Sequence, residues 1–200
     1  MTSNWHQPVT LTGPTLKLVP LRLVDAPEFL AALGQEEVAA EVLQNMNYGP
    51  PADLAATRAI IAAALADPDR LPYAQRIAGT GELVGTTSFY EIDPAARSVA
   101  IGHTWIARDH WRTRVNSESK LIMLSRAFEE LGAERVVWHT DVRNTRSQAA
   151  IERLGATREG VLRHHRIRRD GSWRDTVQYS ILSADWPAAR SRLGAAILRS

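Results

Sequence analysis

Two stretches of this chain combine cationic side chains and helix-start signals at spacings that could hold an anion. The first is Ile101-Gly102-His103-Thr104-Trp105-Ile106-Ala107-Arg108-Asp109-His110-Trp111-Arg112-Thr113-Arg114-Val115-Asn116-Ser117-Glu118-Ser119-Lys120. A helix beginning near Asn116 or Ser117 would present unpaired N–H groups and the positive end of its dipole, a seat for a pyrophosphate. Arg112 and Arg114 would add charge-assisted donors, and Asn116 would cap the helix. Two plainer readings compete: Glu118 could itself occupy the positive end, and a loop arginine is commonly just solvated. The second stretch is Asp141-Val142-Arg143-Asn144-Thr145-Arg146-Ser147, followed by Gln148-Ala149-Ala150-Ile151-Glu152-Arg153-Leu154-Gly155-Ala156. Asn144 and Ser147 are three residues apart and share one side of a helix start. Asn144 is read as an N-cap or as an amide that anchors a ligand, the cap being the simpler reading.

For proton transfer, His103 has an ordinary pKa near neutrality and lies on a strand leading toward the first stretch. Alternation places Ile101, His103 and Trp105 on one sheet face unless a bulge changes register. The competing reading is a packed or surface histidine. His139, and Glu91 acting through water, are weaker candidates. Trp105, Trp138, Trp173 and Trp186 are read mainly as packing residues, whereas Trp111 could cover the loop. His164 and His165 point to opposite sides if alternation holds, and no metal site is expected. The chain has no cysteine, so a thiolate nucleophile and a disulfide framework are both excluded.

These groups must be positioned by elements that the hydrophobic pattern suggests. Leu16–Leu21 reads as a strand, and Asp25-Ala26-Pro27 starts a helix, with Asp25 placed to accept backbone N–H bonds. A second helix covers Asp53 to Ala66 and stops at Asp67-Pro68-Asp69. Strands are expected at Leu71–Ile77, Leu83–Ile92 and Val99–Ile106, forming an antiparallel meander. Leu121, Leu124, Ala127, Phe128 and Leu131 predict the next helix, ended by Gly132. There follow a strand at Arg135–Thr140, a helix at Thr145–Leu154, strands at Gly160–Ile167 and Ser172–Leu182 joined through Asp170-Gly171, and a last helix from Pro187 to Leu198. This order describes an α/β mixed sheet covered by helices on both faces.

The 200 residues, 44% hydrophobic and 23% charged, fit one globular domain. A net charge of +2, with basic and acidic residues interspersed, gives no reason to expect specific nucleic-acid binding. The start lacks a secretion signal, and Leu54–Leu65 is too short to span a bilayer, so a cytoplasmic protein without membrane association is expected.

The loop Trp111–Asn116 and the Asp141-x-x-Asn144-x-x-Ser147 segment, taken in this order, resemble the GNAT acyl-CoA-dependent N-acetyltransferase superfamily, most closely its RimJ/RimL-like branch. The resemblance covers residues 12–185, with 1–11 as an N-terminal and 186–200 as a C-terminal helical extension. It implies a GNAT-like, mostly antiparallel sheet of about seven strands, splayed between the fourth and fifth by acetyl-CoA. Pantetheine would run against Trp105, Ile106 and Ala107, and the pyrophosphate would meet donors from Arg112, Thr113, Arg114, Val115, Asn116 and Ser117. Asn144 and Ser147 would hold the pantetheine or acetyl end. Arg114 stands where the family carries glycine and Asn116 where it carries a small residue. Ile151 replaces the family's acid tyrosine, leaving Ser147, water or direct thiolate departure.

The implied reaction is direct attack of a neutral amine on the thioester, aided by a backbone N–H near Ile106. His103 is the candidate base and Ser147 a second catalytic candidate, while Phe89, Tyr90 and Glu91 would line the acceptor site. The resemblance suggests a protein or peptide N-terminal α-amine. A small-molecule amine, or a catalytically silent acyl-CoA- or peptide-binding module, are the alternatives. Exposed parts of the C-terminal strands or helix are compatible with a homodimer.

Overall fold

A computed structural model describes residues 4–198. The strands are β1 (Leu11–Thr12), β2 (Leu16–Pro20), β3 (Arg70–Ile77), β4 (Leu83–Asp93), β5 (Ser98–Ile106), β6 (Arg135–Asp141), β7 (Thr157–Ile167) and β8 (Trp173–Leu182). The helices are α1 (Ala26–Leu33), α2 (Glu36–Val42), α3 (Leu54–Ala66), α4 (Val115–Ser125), α5 (Thr145–Leu154) and α6 (Trp186–Leu198). All eight strands form one sheet in the order β1-β2-β3-β4-β5-β6-β8-β7. The strand beyond the expected seven is β1, whose two residues are too few to show alternation but pair with β2.

The two sheet faces bury different helices. On one face Leu16, Leu18, Val84, Ile101 and Val136 pack with Met123 and Leu124 of α4 and Leu193 of α6. On the other, Ala74, Leu83 and Trp105 pack with Phe29 and Leu33 of α1 and Ile61 of α3. Trp5 and Leu11 near one end of the chain, and Trp186 near the other, join the first of these cores. Local chemistry sets several boundaries. The Asp53 carboxylate accepts the Ala56 N–H at 2.7 Å and starts α3. Gly171, at φ 80, makes the turn between β7 and β8. Asp25 does not cap α1; its carboxylate accepts the Arg22 N–H at 2.8 Å in the preceding 3-10 turn. The predicted regular helix through Leu131 instead ends as a π-helical turn over Arg126–Glu130.

Two features of the sheet make the site. First, β5 and β6 run parallel and pair only through Ser98–Ala100 with Arg135–Val137. Beyond Ala100 they separate, while β6 stays paired to β8 through Asp141. The sheet is thus open between the expected fourth and fifth strands. Second, β4 and β5 shift register twice. Ser88 lies opposite Gly102 and Thr86 opposite Trp105, so Thr87 faces both His103 and Thr104. The same happens where Glu91 and Ile92 face Val99 between the Tyr90–Ala100 and Asp93–Ser98 pairs. His103 and Glu91 sit at these bulges with φ 49 and φ 48. Extra residues in a ladder re-aim side chains. Ile101 therefore points into the α4 core and Trp105 into the α1–α3 core, and the expected shared face of Ile101, His103 and Trp105 does not exist.

Candidate active site

A cleft of about 610 Å³ opens on the α1–α3 side of the sheet. Phe29, Tyr48, Ile60 and Ala63 form its apolar wall, and Thr86, Tyr90, Glu91, His103, Arg70 and Arg166 supply its polar groups. His103 lies three residues past the last β5–β6 pair, beside the opening in the sheet. Its ring meets Tyr90 edge-on, with centroids 5.1 Å apart. Burial first, then the positive charges of Arg70 and Arg166, push its pKa down to about 4. At neutral pH this imidazole is uncharged and accepts a hydrogen bond more readily than a proton.

Of the three residues expected to line an acceptor site, Tyr90 and Glu91 line this cleft. Phe89 does not. It is buried on the opposite face, edge-on to Tyr73. Tyr90 and Glu91 are consecutive, which alternation forbids and the bulge permits. Burial, reinforced by Glu91, raises the Tyr90 pKa strongly, so its hydroxyl stays protonated. His139 is committed elsewhere. Gln178 donates from Nε2 to Glu159, leaving its oxygen to accept from His139 Nε2 at 3.1 Å. His139 Nδ1 must then accept the Tyr90 O–H, also at 3.1 Å. Glu91 in turn is paired with Arg166 at 3.3 Å.

The N-terminus of α4 lies in the loop that follows β5. Its first residue is Val115 and its N-cap is Arg114, so Asn116 sits inside the helix and caps nothing. Arg114 has φ −65 and ψ −16, right-handed geometry that any residue adopts. The glycine usual at that position is not required by this backbone; Arg112, at φ 62, carries the left-handed turn. Thr113 stiffens the loop by donating from Oγ1 to the His110 carbonyl at 2.8 Å. Glu118 leaves the helix end free. Its Oε1 accepts the N–H groups of Thr15 and Leu16 at 2.7 and 2.9 Å, and its Oε2 accepts the Thr15 hydroxyl at 2.5 Å. The amides at the start of α4 therefore lack the internal carboxylate that could have neutralised them, and exposed Arg112 and Arg114 flank them.

The second stretch packs against the same loop. Asn144 caps α5 by accepting the Ser147 N–H at 3.0 Å. Two residues into α5, Arg146 lays its guanidinium over the Trp111 ring at 4.0 Å, while Arg108 lies 4.6 Å from the same ring. Trp111 also donates its indole N–H to the Ile106 carbonyl at 2.7 Å, tying the end of β5 to the loop. Trp105 is buried against Phe29, with centroids 4.8 Å apart, and so contributes on the cleft side of β5. Ala107 is buried, and its N–H is held by the Val84 carbonyl at 2.8 Å. Ile151 is buried in the core, so no hydroxyl is placed there.

Two groups escaped the sequence reading. Arg70 opens β3 just before the expected start at Leu71, with no local signal of its role. Lys120 lies on the buried face of α4, with its Nζ donating to Thr104 at 2.9 Å and Thr87 at 3.2 Å. Its alignment with Met123, Leu124 and Ala127 at helical spacing was the signal that could have revealed its burial.

A sheet split after three parallel pairs, with a helix start in the loop that follows the split strand, is the α/β arrangement that the sequence resemblance implies. Residues 15–157 match the Acetyltransferase (GNAT) domain family, and the chain belongs to that family. It is 33% identical over 106 residues to a Bacillus subtilis protein named as a candidate ribosomal N-acetyltransferase, YdaF, covering 53% of this chain and 57% of that one. A second B. subtilis N-acetyltransferase, YoaA, is 35% identical over 52% of this chain and 57% of its own length. The chain thus spans little more than half the length of the curated relatives it matches. A solved GCN5-related N-acetyltransferase from Brucella melitensis superposes with a TM-score of 0.89 at 27% identity, covering 94% of this chain and 85% of that one. The likeness to Mycobacterium smegmatis RimJ, solved with CoA-disulfide, is one of fold, with a TM-score of 0.79 at 24% identity over 96% of both chains. Among the described residues, no helix is long and apolar enough to cross a membrane.

Proposed function

We propose that this chain is an acetyl-CoA-dependent N-acetyltransferase of the RimJ/RimL-like kind that acts on the N-terminal α-amine of a protein or peptide. When bound, acetyl-CoA supplies an acyl thioester that a neutral amine attacks directly. The α4 amides around Asn116 and Ser117, with Arg112, Thr113 and Arg114, would hold its pyrophosphate. The end of β5 at Trp105–Ala107 and the start of α5 at Asn144 and Ser147 would flank its pantetheine. The free helix start is consistent with this placement, because Glu118 is occupied by Thr15 and Leu16.

The observation that carries the choice of acceptor is the lack of a strong base in the cleft. His103 is held at about 4, and Glu91 is paired with Arg166. A primary side-chain amine near pKa 10.4 would have to shed its proton to bulk solvent, at a cost of about 5 kcal/mol at pH 7. An α-amine near pKa 8 is neutral in about one molecule in ten, a cost of about 1.4 kcal/mol. His103 then takes the proton only as attack acidifies the nitrogen, which its neutral imidazole can do. Ser147 is a candidate to meet the departing thiolate, since Ile151 offers no proton. A small-molecule amine is the second reading, favoured by a cleft volume within the ordinary range for small ligands.

The test is acetyl transfer to a peptide that carries one free α-amine and one internal lysine, with the product mapped by mass spectrometry. Acetylation at the α-amine, by about 100-fold or more over lysine, is expected from the free-energy difference above. Preferential lysine acetylation would overturn the base argument. Tight coenzyme binding with no acetylated product from peptides or small amines would favour the silent binding module instead.

A further inference from the structure

Arg70 lines the acceptor cleft without a contact ion pair: Asp67 on the same lining favours its charge from beyond bonding distance. Arg166, the other arginine on this lining, is paired with Glu91. Among the described residues, no carboxylate lies within ion-pair distance of the Arg70 guanidinium. Its Nε donates to the Ser88 hydroxyl at 2.9 Å, which fixes the plane of the fork and leaves the terminal nitrogens facing the cleft without a protein acceptor. The residue is only partly exposed, and Phe29, Tyr48 and Ile60 close the same cleft. A half-buried guanidinium with unpaired ends is costly unless something satisfies it, and its fork matches a planar carboxylate. Asp67 and Asp69 stand exposed on the lining, where they oppose a second negative charge. The cleft therefore suits one oxyanion and disfavours a polyphosphate or a nucleic acid.

From this geometry we propose that Arg70 is a specificity-determining residue: the acceptor amine carries a carboxylate that pairs with its guanidinium while the amine reaches toward His103. The proposal deepens the acetyltransferase reading and rests on it. Two sources share this chemistry, an acidic side chain near a peptide N-terminus and the α-carboxylate of a free amino acid.

The experiment compares matched acceptors in the wild-type and Arg70→Gln proteins. One pair is a tripeptide with aspartate or asparagine at its first residue; the other is free leucine and leucinamide. For each pair, kcat/KM is measured with acetyl-CoA, and affinity is measured by calorimetry in the presence of coenzyme A. With each kcat/KM expressed per neutral amine, one pair in the wild type should favour the carboxylate by about 10-fold to 100-fold, and Arg70→Gln should bring that ratio near one. The pair that responds identifies the source. Arg70→Lys, which keeps the charge but not the fork, should retain part of the ratio, and thermal melts of both variants establish that they are folded. Wild-type ratios near one in both pairs, or a ratio that survives Arg70→Gln, would overturn the proposal. Calorimetry keeps the two readings apart: absent turnover with an Arg70-dependent affinity ratio sinks the acetyltransferase and leaves the carboxylate site standing.

Discussion

Replacing Lys120 with methionine should stabilise the protein at neutral pH and flatten its pH dependence. Lys120 is fully enclosed between α4 and the β4–β5 bulge, its Nζ bonded to the hydroxyls of Thr87 and Thr104, with no carboxylate among its partners. Burial alone pushes its pKa from 10.5 down to about 7. A lowered folded-state pKa for a base means that the unfolded chain binds more protons between pH 7 and pH 10.5, so stability rises with pH across that window. A drop of this size corresponds to about 5 kcal/mol of folding stability lost between the alkaline limit and acidic pH, of which about 4 kcal/mol is lost at pH 7. Methionine removes that cost and keeps an unbranched stem. It gives up two hydrogen bonds worth about 1 kcal/mol each, although Thr87 and Thr104 remain bonded to each other at 2.8 Å. The net gain at pH 7 is about 2 kcal/mol, a rise in Tm of roughly 4–8 °C for a chain of this size. Urea denaturation at pH 7 and pH 9 is the assay. The wild type should gain about 2 kcal/mol between these values relative to the variant. A stability difference that stays constant across this range would refute the reasoning, because the ammonium would then be charged and solvated, or paired, at both values.

With His103 neutral down to about pH 4, the acidic limb of kcat/KM should follow the pKa of the acceptor amine. His103→Ala should lower kcat strongly while leaving that limb in place, whereas a wild-type inflection near pH 6.5 that vanishes in the variant would assign the titration to His103. The lowered His103 pKa also implies that stability falls as pH drops below 6.5 toward 4, a loss measurable by calorimetry and absent in His103→Ala. Asn144→Ala removes the cap on Ser147 N–H and should cost about 1 kcal/mol in urea denaturation. An unchanged midpoint would mean that solvent satisfies the α5 amides equally well.

The elements were largely legible because each carried its own local signal. Asp53 and the alanine-rich run defined α3, the apolar spacing from Leu121 located α4, and Asp170-Gly171 placed the β7–β8 turn. The helix start proposed to hold the pyrophosphate was legible for the same reason, since helix starts bind anions through backbone groups whose presence needs little from the side chains. What failed was any inference that carried alternation through a bulge. Ile101 falls on the opposite face from His103, and His103 and Glu91 gain the cleft at their bulges, whereas Phe89 faces away because plain alternation sets it opposite Tyr90. Asn116 was misread as a cap because the helix begins two residues earlier, at Val115.

From the amino-acid order alone came the identity of most strands and helices, the two stretches flanking the opening, and the absence of a cysteine nucleophile. Those features depend on neighbours close along the chain. The ionisation of His103 and Lys120, the removal of Glu118 from the helix start, and the isolation of Arg70 beside Ser88 were decided by the folded chain. Each depends on which distant groups exclude water or supply a partner, and local residue order does not encode that distance.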